Sequence, residues 1–266
     1  MSGHMAVTFS LAKLAQNNPR PPDPFLTGLL LRFGLLVAVN FCLLCALVFG
    51  LLGTTAQGVL PGAVLAFGLY LTVNAVLLRG LTRDYPHQQL GLCNIVTHFR
   101  ATLTAGLAAV LPGATAVTTD PSLAWSVVAL ATIALACDGV DGWAARRSGL
   151  VSRFGARFDM EVDSVLALIL ALIVLLTGKV GEWVILLGLM RYLFVAAMWT
   201  FPWINRPTPQ RFSGKLVCVI QIAALIALIA PVVTGVLANV IALGALALVV
   251  WSFGVDLRYL WRTRTA

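Results

Sequence analysis

The chain is predicted to fold as an all-α integral membrane protein with eight spans, arranged as a two-helix hairpin followed by a six-helix core. Three observations predict this. Of 266 residues, 60% are hydrophobic and 11% charged, a balance that a water-exposed surface cannot accommodate. Apolar runs recur near the ~20 residues that a spanning helix needs. The basic residues behind the net charge of +8 gather on alternate turns, as basic residues do on the cytoplasmic side of a membrane.

Residues 1–24 are polar, carry Lys13 and Arg20 and end in prolines, and read as a cytoplasmic N-terminal segment without the pattern of a cleavable signal peptide. Apolar runs at 25–52 and 59–78 form the hairpin, a unit of residues 25–80. A polar linker with Arg83, Asp84, Pro86 and His87 separates it from the main domain, residues 90–260, where further spans are expected at 95–112, 122–140, 158–177, 182–200, 215–231 and 236–256. With both termini cytoplasmic, Lys13, Arg20, Arg79, Arg83, Arg100, the Arg146–Arg157 group, Arg206, Arg211, Lys215 and the Arg258–Arg264 tail all lie inside. Among the outer turns, at 53–58, 112–121, 177–182 and 231–235, the only basic residue is Lys179. The positive-inside rule therefore favours eight spans. Cys42, Cys45, Cys93, Cys137 and Cys218 have neither disulfide nor zinc-site spacing and read as small hydrophobes.

One stretch breaks the apolar pattern. Residues 138–163, DGVDGWAARRSGLVSRFGARFDMEVD, would sit at the cytoplasmic end of the fourth and fifth spans. Asp138 and Asp141 are three apart, and Asp159 and Asp163 four apart, so each pair shares a helical face, whereas Glu161 points elsewhere. Four carboxylates converging near hydrocarbon repel one another and require cations. Without histidine or thiol among them, these hard oxygen ligands suit Mg²⁺, Mn²⁺ or Ca²⁺ better than zinc. Gly139, Gly142, Ala144, Ala145 and Gly155 leave room for a ligand against backbone, and Arg146, Arg147, Arg153 and Arg157 supply phosphate-binding charge. Together they describe a site for a diphosphate.

The same stretch resembles the signature of the CDP-alcohol phosphotransferase family. It runs Asp138, two residues, Asp141-Gly142, two residues, Ala145-Arg146, eight residues, Gly155, three residues, Asp159, three residues, Asp163. A second family feature is similar to Asn94, Thr97 and Arg100, although Cys93 stands where many members have proline. The resemblance implies a six-helix membrane core and a reaction in which an alcohol attacks a CDP-linked donor, commonly CDP-diacylglycerol, and releases CMP. It further implies that Asp138, Asp141, Asp159 and Asp163 hold two divalent ions, Mg²⁺ or Mn²⁺. Asp163 would also take the proton from the acceptor hydroxyl, and Asn94, Thr97, Gly142, Ala145, Arg146 and Gly155 would bind the nucleotide. A homodimer is implied as well. The partners are thus a lipid-linked CDP donor, a small alcohol and membrane lipid, with no nucleic acid.

Arg191 lies inside the sixth span, where a charge is costly and faces a polar cavity more often than lipid. With Arg206, Arg211 and Lys215 it could bind an anionic acceptor, for which glycerol 3-phosphate is the best candidate. Gly214-Lys215 followed by Gln221 resembles a pattern of the family's phosphatidylglycerophosphate and cardiolipin synthases, with Cys218 at their threonine position. Inositol phosphate, serine, phosphatidylglycerol or a CDP-amino alcohol donor would use the same chemistry. A cation transporter is the alternative of another class, but transport does not explain the glycine, alanine and arginine spacing. His87 and His98 read as interface residues, and Trp199, Trp203 and Trp261 as interfacial anchors.

Overall fold

Helices in this protein begin and end where side-chain chemistry changes. The computed structural model describes residues 24–53, 59–83, 91–148, 153–201, 203 and 212–263, and all regular structure among them is helical. The hairpin is α1 (Pro24–Leu52) and α2 (Val59–Arg83). Next come α3 (Leu92–Ala108), a 3₁₀ turn at Leu111–Gly113, and the four-residue α4 (Ala116–Thr119). The long α5 (Pro121–Ser148) and α6 (Arg153–Thr177) follow. A 3₁₀ turn at Glu182–Val184 leads into α7 (Ile185–Thr200), and α8 (Phe212–Ile229) and α9 (Gly235–Arg262) complete the fold.

Among the described residues seven helices are long and apolar enough to cross a membrane, and α8 adds the shorter apolar stretch Ser213–Ile229. The expected eight apolar elements are therefore all helical over the described residues. Three boundaries differ from expectation. The second helix continues past residue 78 to Arg83, with Thr82 Oγ1 returning a hydrogen bond to the Leu78 carbonyl at 2.9 Å. The turn expected over 112–121 contains two short helical pieces. The fourth span runs eight residues beyond 140, to Ser148, because Ala144, Ala145, Arg146 and Arg147 favour helix and no proline interrupts them. Its start is better defined: Asp120 Oδ1 accepts from the backbone N–H groups of Ser122 (2.8 Å) and Leu123 (3.2 Å), and Pro121 occupies the first helical position, where no N–H is needed.

The bundle is built around α3. Every residue from Arg100 to Val110 is buried. Within its spanning window 72% is buried inside the molecule, against 17% for α2. One side of α3 packs on α5 and α6, and the hairpin helices α1 and α2 cover another. In lipid, close backbone approach rather than water exclusion drives such packing, and small residues permit it. A Cβ on Gly106 would come within 3.1 Å of Leu47 Cδ1 in α1, and one on Gly62 would overlap the Ala109 carbonyl oxygen. Gly188 of α7 lies as closely on α6, where a Cβ would meet Leu168 Cα at 2.8 Å and Ala171 Cβ at 2.9 Å.

Lys179, between α6 and α7, closes the far end of α8. Its Nζ donates to the carbonyls of Leu228 (3.3 Å), Ile229 (3.2 Å) and Ala230 (2.9 Å), satisfying acceptors that a helix C-terminus leaves open. Partial burial lowers its pKa below the ordinary lysine value. Replacing the ammonium in Lys179→Met is expected to cost about 1–3 kcal/mol, read as a lower melting temperature of the detergent-solubilised protein. An unchanged melting temperature would show that the three carbonyls do not depend on it.

Candidate active site

Arg100 is the largest fully buried side chain among the described residues. A guanidinium cannot shed its proton, so its burial requires carboxylates around it. Three converge from two helices. Nη1 lies 2.6 Å from Asp159 Oδ1 and 3.4 Å from Asp138 Oδ1, while Nη2 pairs with Asp163 Oδ1. Asp138 comes from α5 and is buried; Asp159 and Asp163, one turn apart on α6, are partly open. From α8, Lys215 Nζ approaches Asp138 Oδ2 at 3.8 Å with its side chain half exposed.

One ligand oxygen from each of Asp138, Asp159 and Asp163 can be chosen so that all lie within 4.8 Å of one another. Among the described residues two cationic side chains face three carboxylates. Such a donor set, all carboxylate oxygen and partly open, fits a hard divalent cation. The remaining expected ligand, Asp141, is one turn beyond Asp138 in α5, and Gly142, Ala145 and Arg146 occupy its last turns. Their side-chain positions lie outside the described residues. Gly155 is in the first turn of α6 and partly buried.

The other expected residues divide by location. Asn94 and Thr97 are buried on α3, six and three residues before Arg100, which places the three on one helical face. Arg191 of α7 is not in the carboxylate cluster. Its Nη2 pairs with Glu161 and its Nη1 lies 3.0 Å from Met160 Sδ. Glu161 is exposed and turned from the aspartates toward α7. Gln221 of α8 donates to the Leu187 carbonyl of α7, which accounts for an amide in an apolar helix. Arg206 and Arg211 lie outside the described residues.

What sequence reading misses is the centre of the cluster, since the sequence presents Arg100 as an inner-side charge and as the last residue of a secondary feature. A signal was available: an arginine within an apolar helix, three residues after a threonine, needs buried anionic partners.

The helices and the carboxylate cluster define an integral, multi-pass membrane protein with a polar centre between α3, α5 and α6. Neither a curated protein nor a solved structure matches the chain. The family model for CDP-alcohol phosphatidyltransferase matches residues 90–251, more than half of the 266 residues, and the chain belongs to that family. The match begins at the threshold of α3 and spans all three clustered aspartates, leaving the hairpin outside. Membership indicates a phosphotransferase of phospholipid synthesis acting on a CDP-alcohol.

Removing Arg100 would leave three carboxylates with the half-exposed Lys215 as their one cationic partner among the described residues. Arg100→Ala is therefore expected to lose about 3–5 kcal/mol of stability and to recover more of it with Mn²⁺ than the wild type gains, since a cation that binds only the folded state stabilises by mass action. Melting curves with and without Mn²⁺ measure both effects. Equal Mn²⁺ responses in the two proteins would count against a cation site at these carboxylates.

Proposed function

We propose that this protein transfers the phosphatidyl group of CDP-diacylglycerol to the hydroxyl of a small polar alcohol, best fitted by glycerol 3-phosphate, with release of CMP. The observation that carries the reading is the convergence of Asp138, Asp159 and Asp163 on Arg100 within the family-matched residues. In this reaction the acceptor oxygen forms a bond to the lipid-bearing phosphorus. The bond from that phosphorus to the bridging oxygen of the diphosphate breaks, CMP takes the bonding pair, and Asp163 accepts the hydroxyl proton. Bound by Asp138, Asp141, Asp159 and Asp163, two Mg²⁺ or Mn²⁺ ions would neutralise charge on the diphosphate and the leaving phosphate. Arg100 holds the carboxylates in register. Asn94, Thr97, Gly142, Ala145, Arg146 and Gly155 bind the cytidine diphosphate in this assignment.

Lys215, beside Asp138, supports an anionic acceptor entering along α8. Arg191, Arg206 and Arg211 complete the proposed acceptor site, with Arg191 exchanging or sharing its partner Glu161 on binding. The proposed organisation is a cytoplasmic segment at 1–24, an additional hairpin at 25–80 and the transferase domain at 90–260. Both termini and the site would lie on the cytoplasmic face, in the inner membrane if the source is bacterial, and the chain would form a homodimer.

The test is CMP release from CDP-diacylglycerol by purified protein with Mg²⁺ or Mn²⁺ across candidate acceptors. Dependence on glycerol 3-phosphate is expected. Dependence on inositol phosphate, serine or phosphatidylglycerol would reassign the acceptor, and release only from a CDP-amino alcohol would reassign the donor. Asp163→Asn is expected to lower turnover by at least about 10²-fold while retaining measurable CDP binding, whereas Asp138→Ala loses both. Near-normal turnover by Asp163→Asn would refute its assignment as base.

A further inference from the structure

The hairpin lies outside the family match, yet its packing reaches the residues beside the site. Phe33 of α1 and Leu77 and Leu81 of α2 form one buried cluster with Ala101, Phe158 and Val162. Those last three are the chain neighbours of Arg100, Asp159 and Asp163. The hairpin thus supports from behind α3 and α6, two of the helices whose side chains meet in the carboxylate cluster.

A polar contact adds rotational control that apolar packing alone does not supply. On α3, His98 is two residues from Arg100, about 200° around the helix, and therefore faces away from it. Its buried ring lies edge-on to Phe33 and Tyr70, with centroids 6.3 and 6.0 Å away. Its Nε2 is 3.0 Å from Asn74 Oδ1 in α2. Asn74 Nδ2 already donates to the Tyr70 carbonyl at 2.8 Å, and Tyr70 in turn donates to the Val37 carbonyl of α1 at 2.6 Å. The amide oxygen is therefore the end presented to histidine, and Nε2 carries the proton. The other ring nitrogen, Nδ1, is buried without a hydrogen-bond partner, so Asn74 is the ring's one polar anchor among the described residues. Rotation of α3 would break that bond in a place where no water replaces it.

We propose that the hairpin is a positioning part of the catalytic unit, in which Asn74, through His98, and Leu77, through the cluster at Ala101, Phe158 and Val162, hold Arg100, Asp159 and Asp163 in their working geometry. The inference rests on the transferase reading above and assigns the hairpin a role in that site beyond anchorage.

The test uses the full chain reconstituted in lipid, with Asn74→Leu, Leu77→Ala and the pair Asn74→Leu/His98→Leu. Mn²⁺ binding is measured directly by electron paramagnetic resonance, and kcat and KM by CMP release. Asn74→Leu and Leu77→Ala should each weaken Mn²⁺ binding and lower kcat by about tenfold, with KM for the CDP donor within about twofold, because small displacements of reacting groups act on the chemical step. The double variant should regain melting temperature but not Mn²⁺ affinity or kcat, since replacing both partners of a buried hydrogen bond removes the cost of orphaning one without restoring the anchor. Wild-type Mn²⁺ affinity and kcat in variants whose melting temperature alone has fallen would overturn the inference. If Asn74→Leu does not fold, Leu77→Ala decides. If the wild type binds Mn²⁺ but releases no CMP, the substrate assignment fails and the Mn²⁺ data still decide the hairpin's role. A wild type that binds no Mn²⁺ refutes both.

Discussion

A guanidinium with no exposed surface is the constraint on which the rest of this structure depends. Arg100 can stay buried only if carboxylates meet it, and the three that do so among the described residues belong to two helices that would otherwise splay under mutual repulsion. Among the described residues the carboxylates of the cluster outnumber its cations. An arginine that fully neutralised its partners would leave little reason for a cation to bind; one that only partly does so fixes the carboxylates in place and keeps the site receptive.

The helix carrying Arg100 has two separate tasks. Its face at Arg100 meets the carboxylates of α5 and α6, and its face at His98, Ala105 and Ala109 fits the hairpin. Small residues make the second task possible, because Gly62 and Gly106 let α1 and α2 approach its backbone. Hydroxyls along the helix are satisfied locally: Thr102 and Thr104 donate to the carbonyls of His98 and Arg100 at 3.0 and 2.8 Å. Few polar groups on this central helix are therefore left for lipid to solvate.

What could be read from the sequence follows from how far apart the interacting residues lie along the chain. Eight apolar runs and the paired spacings of Asp138 with Asp141 and Asp159 with Asp163 are local patterns, and each has a helical counterpart here. Arg100 is 38, 59 and 63 residues from its partners, and nothing in a local period states that α3 turns this residue toward α5 and α6. Arg191 and Glu161 meet across 30 residues for the same reason. Charge at an apolar span identified Arg191 as unusual, but its partner became apparent only when α6 and α7 were packed. Lys179 is a milder case. The sequence marks it as the exceptional basic residue of its side, whereas the structure shows its charge committed to the end of a neighbouring helix.

That neighbouring helix carries two kinds of surface along one edge. Leu216 and Ile220 are exposed on it, next in sequence to Lys215, whose ammonium approaches Asp138, while its far end is closed by Lys179. Hydrocarbon and a cation beside the carboxylates thus share one exposed strip, along which an amphiphile could lie with its apolar part against the helix and its polar end toward the cluster.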